Sequence, residues 1–458
     1  MPAKVDKRQR TAFVCQQCGH ATPRWLGQCP GCQAWNSFVE ETLPDDRRQP
    51  ATARSSGSPR PLAAVTAGRS LRSSTGLAEL DRVLGGGLVQ GSIVLLGGDP
   101  GIGKSTLALQ ACGALARQGL PVLYVAGEES PEQVRLRADR LGMAEDGVLV
   151  LPETSAEAVV EEIARARPSA VVVDSIQTLH TAALGSAPGS VGQVREPAAL
   201  LTTHCKANGT ACFLVGHVTK EGTLAGPRVL EHLVDTVLYF EGDGAHALRV
   251  LRAVKNRFGS TNEVGVFEMG EGGLVEVANP SAAFLAERPV GAAGSAVLAT
   301  LEGSRPVLVE IQALVSRSTL AMPRRTAIGL DPGRVALLLA VLEKRMRMHL
   351  HEQDVFLNVA GGLRVDEPAA DLAIVAAVAS SQRGRPLAED LVVWGEVGLT
   401  GEVRAVARPD ARLREAARQG FGRCVLPAGN AKGLAPVAGA RAQGVATLNQ
   451  LFEALDLT

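Results

Sequence analysis

The stretch that decides the fold is IVLLGGDPGIGKST, residues 93–106. Its first four residues are apolar and predict a buried strand, and residues 98–105 fit the pattern G-x-x-x-x-G-K-[ST]. The glycines let backbone NH groups turn inward around phosphate oxygens, the lysine reaches the terminal phosphates, and the serine hydroxyl can bind Mg²⁺. An apolar helix is predicted next, over 106–115. The sequence therefore predicts a nucleotide site formed by Gly98, Asp99, Pro100, Gly101, Ile102, Gly103, Lys104, Ser105 and Thr106.

Two further apolar runs end in acidic residues. Residues 170–175 read AVVVDS, and we expect Asp174 to join the Mg²⁺ shell, with a simple helix N-cap as the alternative. Residues 121–129 read PVLYVAGEE. A carboxylate placed there can orient the attacking water, so Glu128 or Glu129 is the expected general base, and we favour Glu128. The cofactors implied are ATP and Mg²⁺.

More strands are predicted at 212–215, 236–240 and 248–254. Strands that alternate with helical stretches predict an α/β fold, with a parallel sheet and helices on both faces. Segments 178–192 and 219–228 follow strands and are expected to be mobile loops near the phosphates. Such loops could couple the nucleotide state to a bound polymer. The alternative is that they only connect secondary-structure elements at the surface.

Four of the eight cysteines lie close together near the N-terminus, as two C-x-x-C pairs separated by ten residues. Four thiolates form a closed tetrahedral shell, so we expect a structural Zn²⁺ site rather than a redox dithiol. Its ligands would be Cys15, Cys18, Cys29 and Cys32, with His20 outside the shell. We expect Phe13, Trp25, Trp35 and Phe38 to form a miniature core around this knuckle, whose folding would depend on the metal.

The 458 residues are too many for one ordinary core, and the formal net charge of +0 gives no field that would attract a polyanion to the whole molecule. Local patches do exist, because positions 1–75 hold eleven Lys or Arg against five Asp or Glu, and positions 305–350 hold eight against three. These patches could contact nucleic acid or simply aid solubility. No apolar run could span a bilayer and no signal peptide is evident, so we expect a cytoplasmic protein without a membrane partner.

The order of these elements resembles the RecA core, and three details resemble the bacterial RadA family, also called Sms. The details are the knuckle ending in Trp35-Asn36, the run of residues 75–87, and Lys255-Asn256-Arg257-Phe258-Gly259. The resemblance implies a homo-hexameric ring that uses ATP in recombinational repair, acts on single-stranded and branched DNA, and partners the RecA recombinase. It also implies that Lys255 and Arg257 reach the nucleotide of a neighbouring subunit. His217 occupies the place of a γ-phosphate sensor.

From residue 289 onward the chain resembles the proteolytic domain of Lon, through residues 366–373 and 395–401. Ala369 stands where that family carries its catalytic serine, and Asp410 falls about where its lysine lies. Neither side chain can do the chemistry of a Ser-Lys dyad, so we expect a domain without protease activity that is a scaffold for the ring. Asp331-Pro332 predicts a helix running towards Leu350. Its basic residues could face DNA, and a solvated surface explains them equally well.

The predicted domains are a zinc-binding knuckle at 1–45, a flexible linker at 46–74, a RecA-like P-loop ATPase domain at 75–284, and a Lon-protease-like α+β domain at 285–458. The function favoured is a DNA-dependent ATPase that promotes branch migration or unwinding. A regulatory RecA-like ATPase, which acts as a switch without translocation, is the alternative. An ATP-dependent peptidase is the least favoured, because both dyad residues are missing.

Overall fold

A computed structural model describes residues 11–15, 19–42, 72–143, 147–216, 230–242, 248–261, 263–319 and 322–457. It forms two compact units, Met1–Glu276 and Val277–Thr458. The predicted linker lies outside the described residues except for its last three positions. The four-part domain division therefore stays a prediction. No helix of the described residues is long and apolar enough to cross a membrane.

The N-terminal part of the first unit is a small antiparallel sheet of order β2-β1-β3. Its strands are β1 (Thr11–Cys15), β2 (Ala21–Thr22) and β3 (Phe38–Thr42). Its buried centre consists of Cys15, Cys29 and Phe38, against which Phe13 and Leu26 pack. This sheet brings the two ends of the cysteine-bearing segment together.

The main part of the first unit is one twisted sheet with helices on its faces. Within the described residues the sheet has nine strands in the order β14-β13-β12-β11-β6-β10-β9-β7-β8. The strands are β6 (Ile93–Gly98), β7 (Val122–Ala126), β8 (Val148–Leu151), β9 (Ala170–Asp174), β10 (Ala211–Val215), β11 (Thr236–Glu241), β12 (Leu248–Asn256), β13 (Val264–Gly270) and β14 (Gly273–Glu276). A short pair, β4 (Arg72–Ser73) and β5 (Leu88–Val89), precedes it. The helices are α1 (Ala78–Leu84), α2 (Lys104–Arg117), α3 (Pro131–Arg140), α4 (Ala156–Ala166) and α5 (Val191–Asn208).

Strand β6 shows why this sheet is buried on both faces. Val94 and Leu96 belong to the apolar cluster on one face, and Ile93 and Leu95 belong to the cluster on the other. Successive side chains of a strand point to opposite faces, so a continuous apolar run needs helices on both sides. This confirms the α/β prediction and the buried strand before the glycine loop.

The prediction of a parallel sheet is correct only in part. Six strands of the described sheet, β8, β7, β9, β10, β6 and β11, run parallel, whereas β11 to β14 pair antiparallel. The reason lies in the connections, because β13 and β14 are joined by a two-residue turn, and parallel neighbours need a long crossover. Helix α5 also begins at Val191, inside the predicted loop 178–192.

The second unit contains, among its described residues, a seven-stranded mixed sheet of order β17-β18-β16-β15-β19-β22-β23, and a two-stranded sheet, β20-β21. The strands are β15 (Ser295–Glu302), β16 (Arg305–Arg317), β17 (Arg325–Ile328), β18 (Gln353–Val359), β19 (Leu391–Val393), β20 (Glu396–Val397), β21 (Val403–Arg404), β22 (Arg423–Pro427) and β23 (Arg441–Val445). The helices are α6 (Pro280–Leu285), α7 (Pro332–Met346), α8 (Asp371–Arg383), α9 (Pro409–Arg418), α10 (Ala428–Ala431) and α11 (Leu448–Ala454).

Helix α7 begins where the sequence predicts. Asp331 is its N-cap and accepts a hydrogen bond from the Arg334 NH at 2.6 Å. The helix ends at Met346, short of the predicted end near Leu350, because Arg347 adopts a left-handed conformation that terminates it. Helix α8 is buried along most of its length, which makes it the central helix of this unit.

Candidate nucleotide site and its neighbours

The glycine loop connects β6 to α2 in the way the sequence predicts. Gly98 has φ 147° and a Cβ there would lie 2.7 Å from the Phe240 carbonyl oxygen. Gly103, the N-cap of α2, has φ 115°, a region that side chains disfavour. Pro100 and Gly101 form the exposed tip of the loop, while Ile102 is buried beneath it. The loop therefore presents its backbone at the N-terminus of α2, where anions bind readily.

Lys104 is buried at the start of α2, with 4% of its surface exposed. Its Nζ donates hydrogen bonds of 2.8 Å to the carbonyl oxygens of Gly98 and Asp99. Burial lowers the pKa of Lys104, and the nearby Asp174, Asp99 and Glu128 oppose that shift. What favours phosphate binding is the position of this cation in the glycine loop, at the N-terminus of α2. Ser105 and Thr106 follow in the same turn, half-buried.

Asp174 ends β9 beside the end of β7, since Ala126 and Asp174 are partners in the parallel ladder. Its Oδ2 accepts a hydrogen bond of 2.5 Å from the Tyr124 hydroxyl and lies 3.9 Å from Nη1 of Arg137. Burial and the Asp174 carboxylate raise the pKa of Tyr124 well above its usual value, so the phenol remains the donor. Oδ1 of Asp174 has no hydrogen-bond donor in the described part of the chain.

Glu128 and Glu129 follow β7 and have different partners. Glu128 accepts a hydrogen bond of 2.5 Å from Ser175 Oγ, whereas Glu129 forms an ion pair with Nη2 of Arg137. Glu128 is exposed and Glu129 is half-buried. Glu128 and Asp174 both influence Lys104 electrostatically, so the structure brings the predicted lysine, Mg²⁺ ligand and base to one edge of the sheet.

Lys255 and Arg257 lie at the opposite edge of the same sheet. The last residue of β12, Asn256, pairs with the first residue of β11, Thr236, which pairs with Val94 near the start of β6. Gly98 lies four residues further along β6, about 13 Å at roughly 3.3 Å per residue. Within one chain the pair therefore cannot reach the glycine loop.

The contacts of the pair within its own chain are well defined. Nζ of Lys255 donates to the carbonyl oxygens of Glu231 and Val234, the second at 2.9 Å. Nη1 of Arg257 donates to the buried carboxylate of Asp235 at 3.2 Å, and the Arg257 side chain is 55% exposed. Asp235 also accepts a hydrogen bond of 2.9 Å from Lys206. Arg257 is therefore the more accessible of the two.

The segment before α5 is tied down more firmly than a mobile loop. The buried side chain of Gln193 accepts a hydrogen bond from the Thr181 NH at 2.8 Å and donates to the carbonyls of Leu184 and Ser186 at 3.1 and 3.0 Å. His217 and the predicted loop 219–228 lie outside the described residues, so their proposed roles remain predictions.

Three of the four predicted zinc ligands lie together. The sulfur atoms of Cys15, Cys29 and Cys32 are all within 4.8 Å of one another, and those of Cys15 and Cys32 are 3.6 Å apart. Tetrahedral Zn²⁺ with bonds near 2.3 Å places sulfurs about 3.8 Å apart, so this set fits the ion. Cys18 lies outside the described residues, and His20 is exposed and outside the cluster.

The prediction that four aromatic residues wrap the knuckle is wrong for two of them. Phe13 and Phe38 pack at its centre, but Trp25 is 51% exposed and Trp35 is 69% exposed. The two indole rings lie on the outer side of Gly27. The centre of so small a module is already filled by the cysteines, the two phenylalanines and Leu26, which leaves no room for larger rings.

In the second unit an ion pair lies close in sequence to the two positions, Ala369 and Asp410, that the resemblance assigns to the protease dyad. Ala369 is buried, and Asp410 is exposed and bonded to Arg414. Glu367, two residues before Ala369, binds the fully buried Arg412, two residues after Asp410, through two bonds of 2.8 and 2.6 Å. Glu367 also accepts hydrogen bonds from Thr300 Oγ1 and the Leu301 NH.

The sequence interpretation missed several residues of these sites, among them Tyr124, Arg137, Ser175, Asp235 and Arg412. Tyr124 could have been detected from the sequence. It lies two residues before Ala126, so its side chain is on the same face of β7 as the end of that strand. The other contacts join segments whose proximity depends on tertiary packing, for which the sequence carries no local signal.

Comparison with known domains defines the class of protein. Residues 58–223 match the family of AAA domains, residues 13–40 match the rubredoxin metal binding domain, and residues 340–449 match the Lon protease (S16) C-terminal proteolytic domain. The chain thus carries a RecA-like ATPase domain, a zinc ribbon and a Lon-type C-terminal domain. A KaiC-like protein of Pyrococcus horikoshii aligns with 45% of this chain and 99% of its own, at 22% identity and a TM-score of 0.38.

Full-length relatives identify the particular family. The chain is 53% identical to the DNA repair protein RadA of Bacillus subtilis, over 96% of this chain and 97% of the relative. It is 54% identical to the DNA repair protein RadA of Pseudomonas aeruginosa, over 98% and 99%, and 51% identical to that of Halalkalibacterium halodurans, over 97% and 98%. The chain belongs to the RadA family of DNA repair proteins.

Proposed function

We propose that this protein is a DNA-dependent ATPase of recombinational repair that promotes branch migration or unwinding as a ring-shaped homo-hexamer. The observation that carries the proposal is the position of Lys255 and Arg257 at the edge of the sheet opposite the glycine loop. A basic pair that cannot serve its own nucleotide can still serve the nucleotide of an adjacent copy. Hydrolysis would then require assembly of the copies, as is expected of a motor that works as a ring.

Each residue of the nucleotide site has a proposed task. The loop backbone and Lys104 bind the phosphates, while Ser105 and Asp174 would hold Mg²⁺, which would neutralise charge on the phosphate oxygens. Glu128 accepts a proton from the attacking water, whose oxygen bonds to the γ-phosphorus as the bond to the leaving ADP breaks. Arg257, assisted by Lys255, stabilises the charge that develops on the γ-phosphoryl group from the neighbouring subunit.

The proposed DNA partner is single-stranded or branched, and the proposed protein partner is the RecA recombinase. Basic side chains of the second unit are exposed, as DNA contact requires: Arg317, Arg324, Arg325, Lys344, Arg345 and Arg347. The same unit, which carries Ala369 and Asp410 in place of the expected serine and lysine, is proposed to be a scaffold of the ring. Charge reversal at Arg324, Arg325 and Arg345 should weaken DNA binding and flatten its salt dependence if these residues contact phosphates.

The deciding experiment measures ATP hydrolysis with and without single-stranded DNA, using Lys104→Ala as the inactive control. We expect stimulation by DNA, together with ATP-dependent movement of a synthetic three-strand junction. Hydrolysis that does not respond to DNA, with no movement of the junction, would favour the regulatory switch. That alternative is favoured by one feature, the neutral overall charge, which gives no general attraction to DNA.

The N-terminal module is proposed to bind one Zn²⁺ through four thiolates and to recruit a partner or a DNA fork. A closed site has no reaction of its own, so the ion serves folding. Cys29→Ser should lower the zinc content and unfold this module, while the ATPase domain keeps its thermal transition. Cys112→Ser, at a buried cysteine of the ATPase domain, is the matched control and should leave the zinc content unchanged.

A further inference from the structure

Arg137 lies three residues before the end of α3, and its position is fixed from the start of that helix. Ser130 caps the helix, its side chain accepting from the Gln133 NH at 3.3 Å, and the Gln133 side chain accepts from the Ser130 NH at 2.9 Å. This reciprocal cap begins the helix directly after Glu129. The helix therefore places the guanidinium of Arg137 next to the acids that follow β7.

The guanidinium lies between two acids of the nucleotide site. Nη2 donates to Glu129 Oε1, and Nη1 lies 3.9 Å from Asp174 Oδ2, the oxygen that also accepts from Tyr124. The side chain is only 17% exposed. Nη1 and Glu129 Oε2 are buried and have no hydrogen-bond partner within the described residues. Arg137 thus joins the end of β7 to the end of β9.

The consequence for the two glutamates is unequal. Glu129 is held in an ion pair at reduced exposure, while its neighbour Glu128 is exposed and oriented by Ser175. A carboxylate oxygen that is engaged by a guanidinium is not free to contact an attacking water. If it were released, a second mobile anion would lie beside the phosphates, where it opposes the charge of the transition state.

We propose that Arg137 is a positioning residue of ATP hydrolysis. Its guanidinium holds Glu129 and aligns that carboxylate with Asp174, which leaves the role of general base to Glu128. The inference rests on the proposed roles of Glu128 and Asp174. It adds a residue that acts through other side chains and contacts no substrate. Groups that orient the ligands of a reactive centre affect activity about 10- to 100-fold when they are removed.

The test measures kcat, KM for ATP and thermal stability of the full chain for Arg137→Gln, Arg137→Lys and the double variant Arg137→Gln with Glu129→Gln. We expect Arg137→Gln to lower kcat about 10- to 100-fold with little change in KM. Arg137→Lys should recover part of the loss, because it keeps the charge without the planar fork. The double variant should be more active than Arg137→Gln, because the released carboxylate is gone.

Arg135→Gln is the matched control, since Arg135 lies on the same helix and pairs with Asp139 on the exposed face. It should leave kcat unchanged. Arg137→Gln with wild-type kcat, or a double variant less active than Arg137→Gln at equal thermal stability, would overturn the inference. Glu128→Gln is measured alongside: if it stays active the proposed base is wrong, whereas an inactive Glu128→Gln with a fully active Arg137→Gln refutes the inference alone.

Discussion

The candidate nucleotide site and the surroundings of Ala369 and Asp410 in the second unit, here called the dyad region, treat charge in opposite ways. In the nucleotide site Lys104 donates only to loop carbonyls, and Nη1 of Arg137 is buried without an acceptor in the described chain. In the dyad region Glu367 and Arg412 are joined by two hydrogen bonds, and further donors complete the carboxylate. The nucleotide site thus contains a buried donor without an acceptor among the described residues, whereas the charged groups of the dyad region bond to each other.

The difference is the one expected between a site that binds a ligand and a region that only supports the fold. Buried polar groups without partners cost free energy, so a fold keeps them where they serve a ligand or a transition state. A region that binds no ligand can pair its charges with each other. Asp371 repeats the pattern, because it binds Arg334 through two contacts and accepts from the Val397 NH at 2.9 Å.

The largest expected effect is at Lys104. Lys104→Ala should abolish ATP hydrolysis, because the cation that reaches the terminal phosphates is lost from a site with three neighbouring acids. Phosphate release by the purified variant measures the effect. The control is the same change at Lys206, which pairs with Asp235 away from the glycine loop. Lys206→Ala should leave at least part of the hydrolysis. Loss of hydrolysis in Lys206→Ala but not in Lys104→Ala would contradict this assignment.

The next effect is at Arg257. Arg257→Ala should leave nucleotide binding largely intact and lower turnover by about 10³- to 10⁵-fold, the range for an arginine that acts on a transferred phosphoryl group. Turnover and the affinity for an ATP analogue are measured separately. Arg165→Ala, at an exposed arginine of α4 paired with Glu162, is the control and should be neutral.

Mixing tests whether Arg257 acts across an interface. Lys104→Ala and Arg257→Ala are each inactive alone, but a mixed ring contains interfaces that combine an intact glycine loop with an intact Arg257. Activity should therefore reappear on mixing. If assembly is verified and no ratio restores activity, action from a neighbouring subunit is wrong.

The sequence predicted the parts of these sites that depend on local chemistry. The spacing of Gly98, Gly103 and Lys104 defines a phosphate loop by itself, and two C-x-x-C pairs define a metal set. It could not predict that Glu367 meets Arg412, because 45 residues separate them and the register of the surrounding elements decides their approach. The exposure of Trp25 and Trp35 was missed because the presence of aromatic residues near the knuckle says nothing about how much space its core offers.

A smaller effect is expected at the buried ion pair of the second unit. Arg412→Met removes one partner and leaves the Glu367 carboxylate partly buried, which should cost about 3–5 kcal/mol of unfolding free energy. Chemical denaturation followed by circular dichroism measures it. Adding Glu367→Gln should recover part of the loss, because the uncompensated charge is removed. If Arg412→Met and the wild type have the same unfolding free energy, the ion pair does not stabilise this unit.

The smallest effect is expected from restoring the serine. Ala369→Ser should yield no detectable hydrolysis of an unfolded polypeptide, with or without ATP, because Asp410 stands where the resemblance expects the lysine that takes the hydroxyl proton. Ala369 is buried, so the new hydroxyl would also lack access to substrate, while the Asp410 side chain is exposed and paired with Arg414. Ala369→Ser combined with Asp410→Lys is the stricter test. Since Arg412 and Glu367 still occupy the region between these two segments, this double variant should remain inactive as well. ATP-dependent cleavage of the polypeptide by the wild-type chain would refute the assignment of an inactive protease domain, and cleavage by the double variant alone would show that the dyad geometry has survived beneath the ion pair.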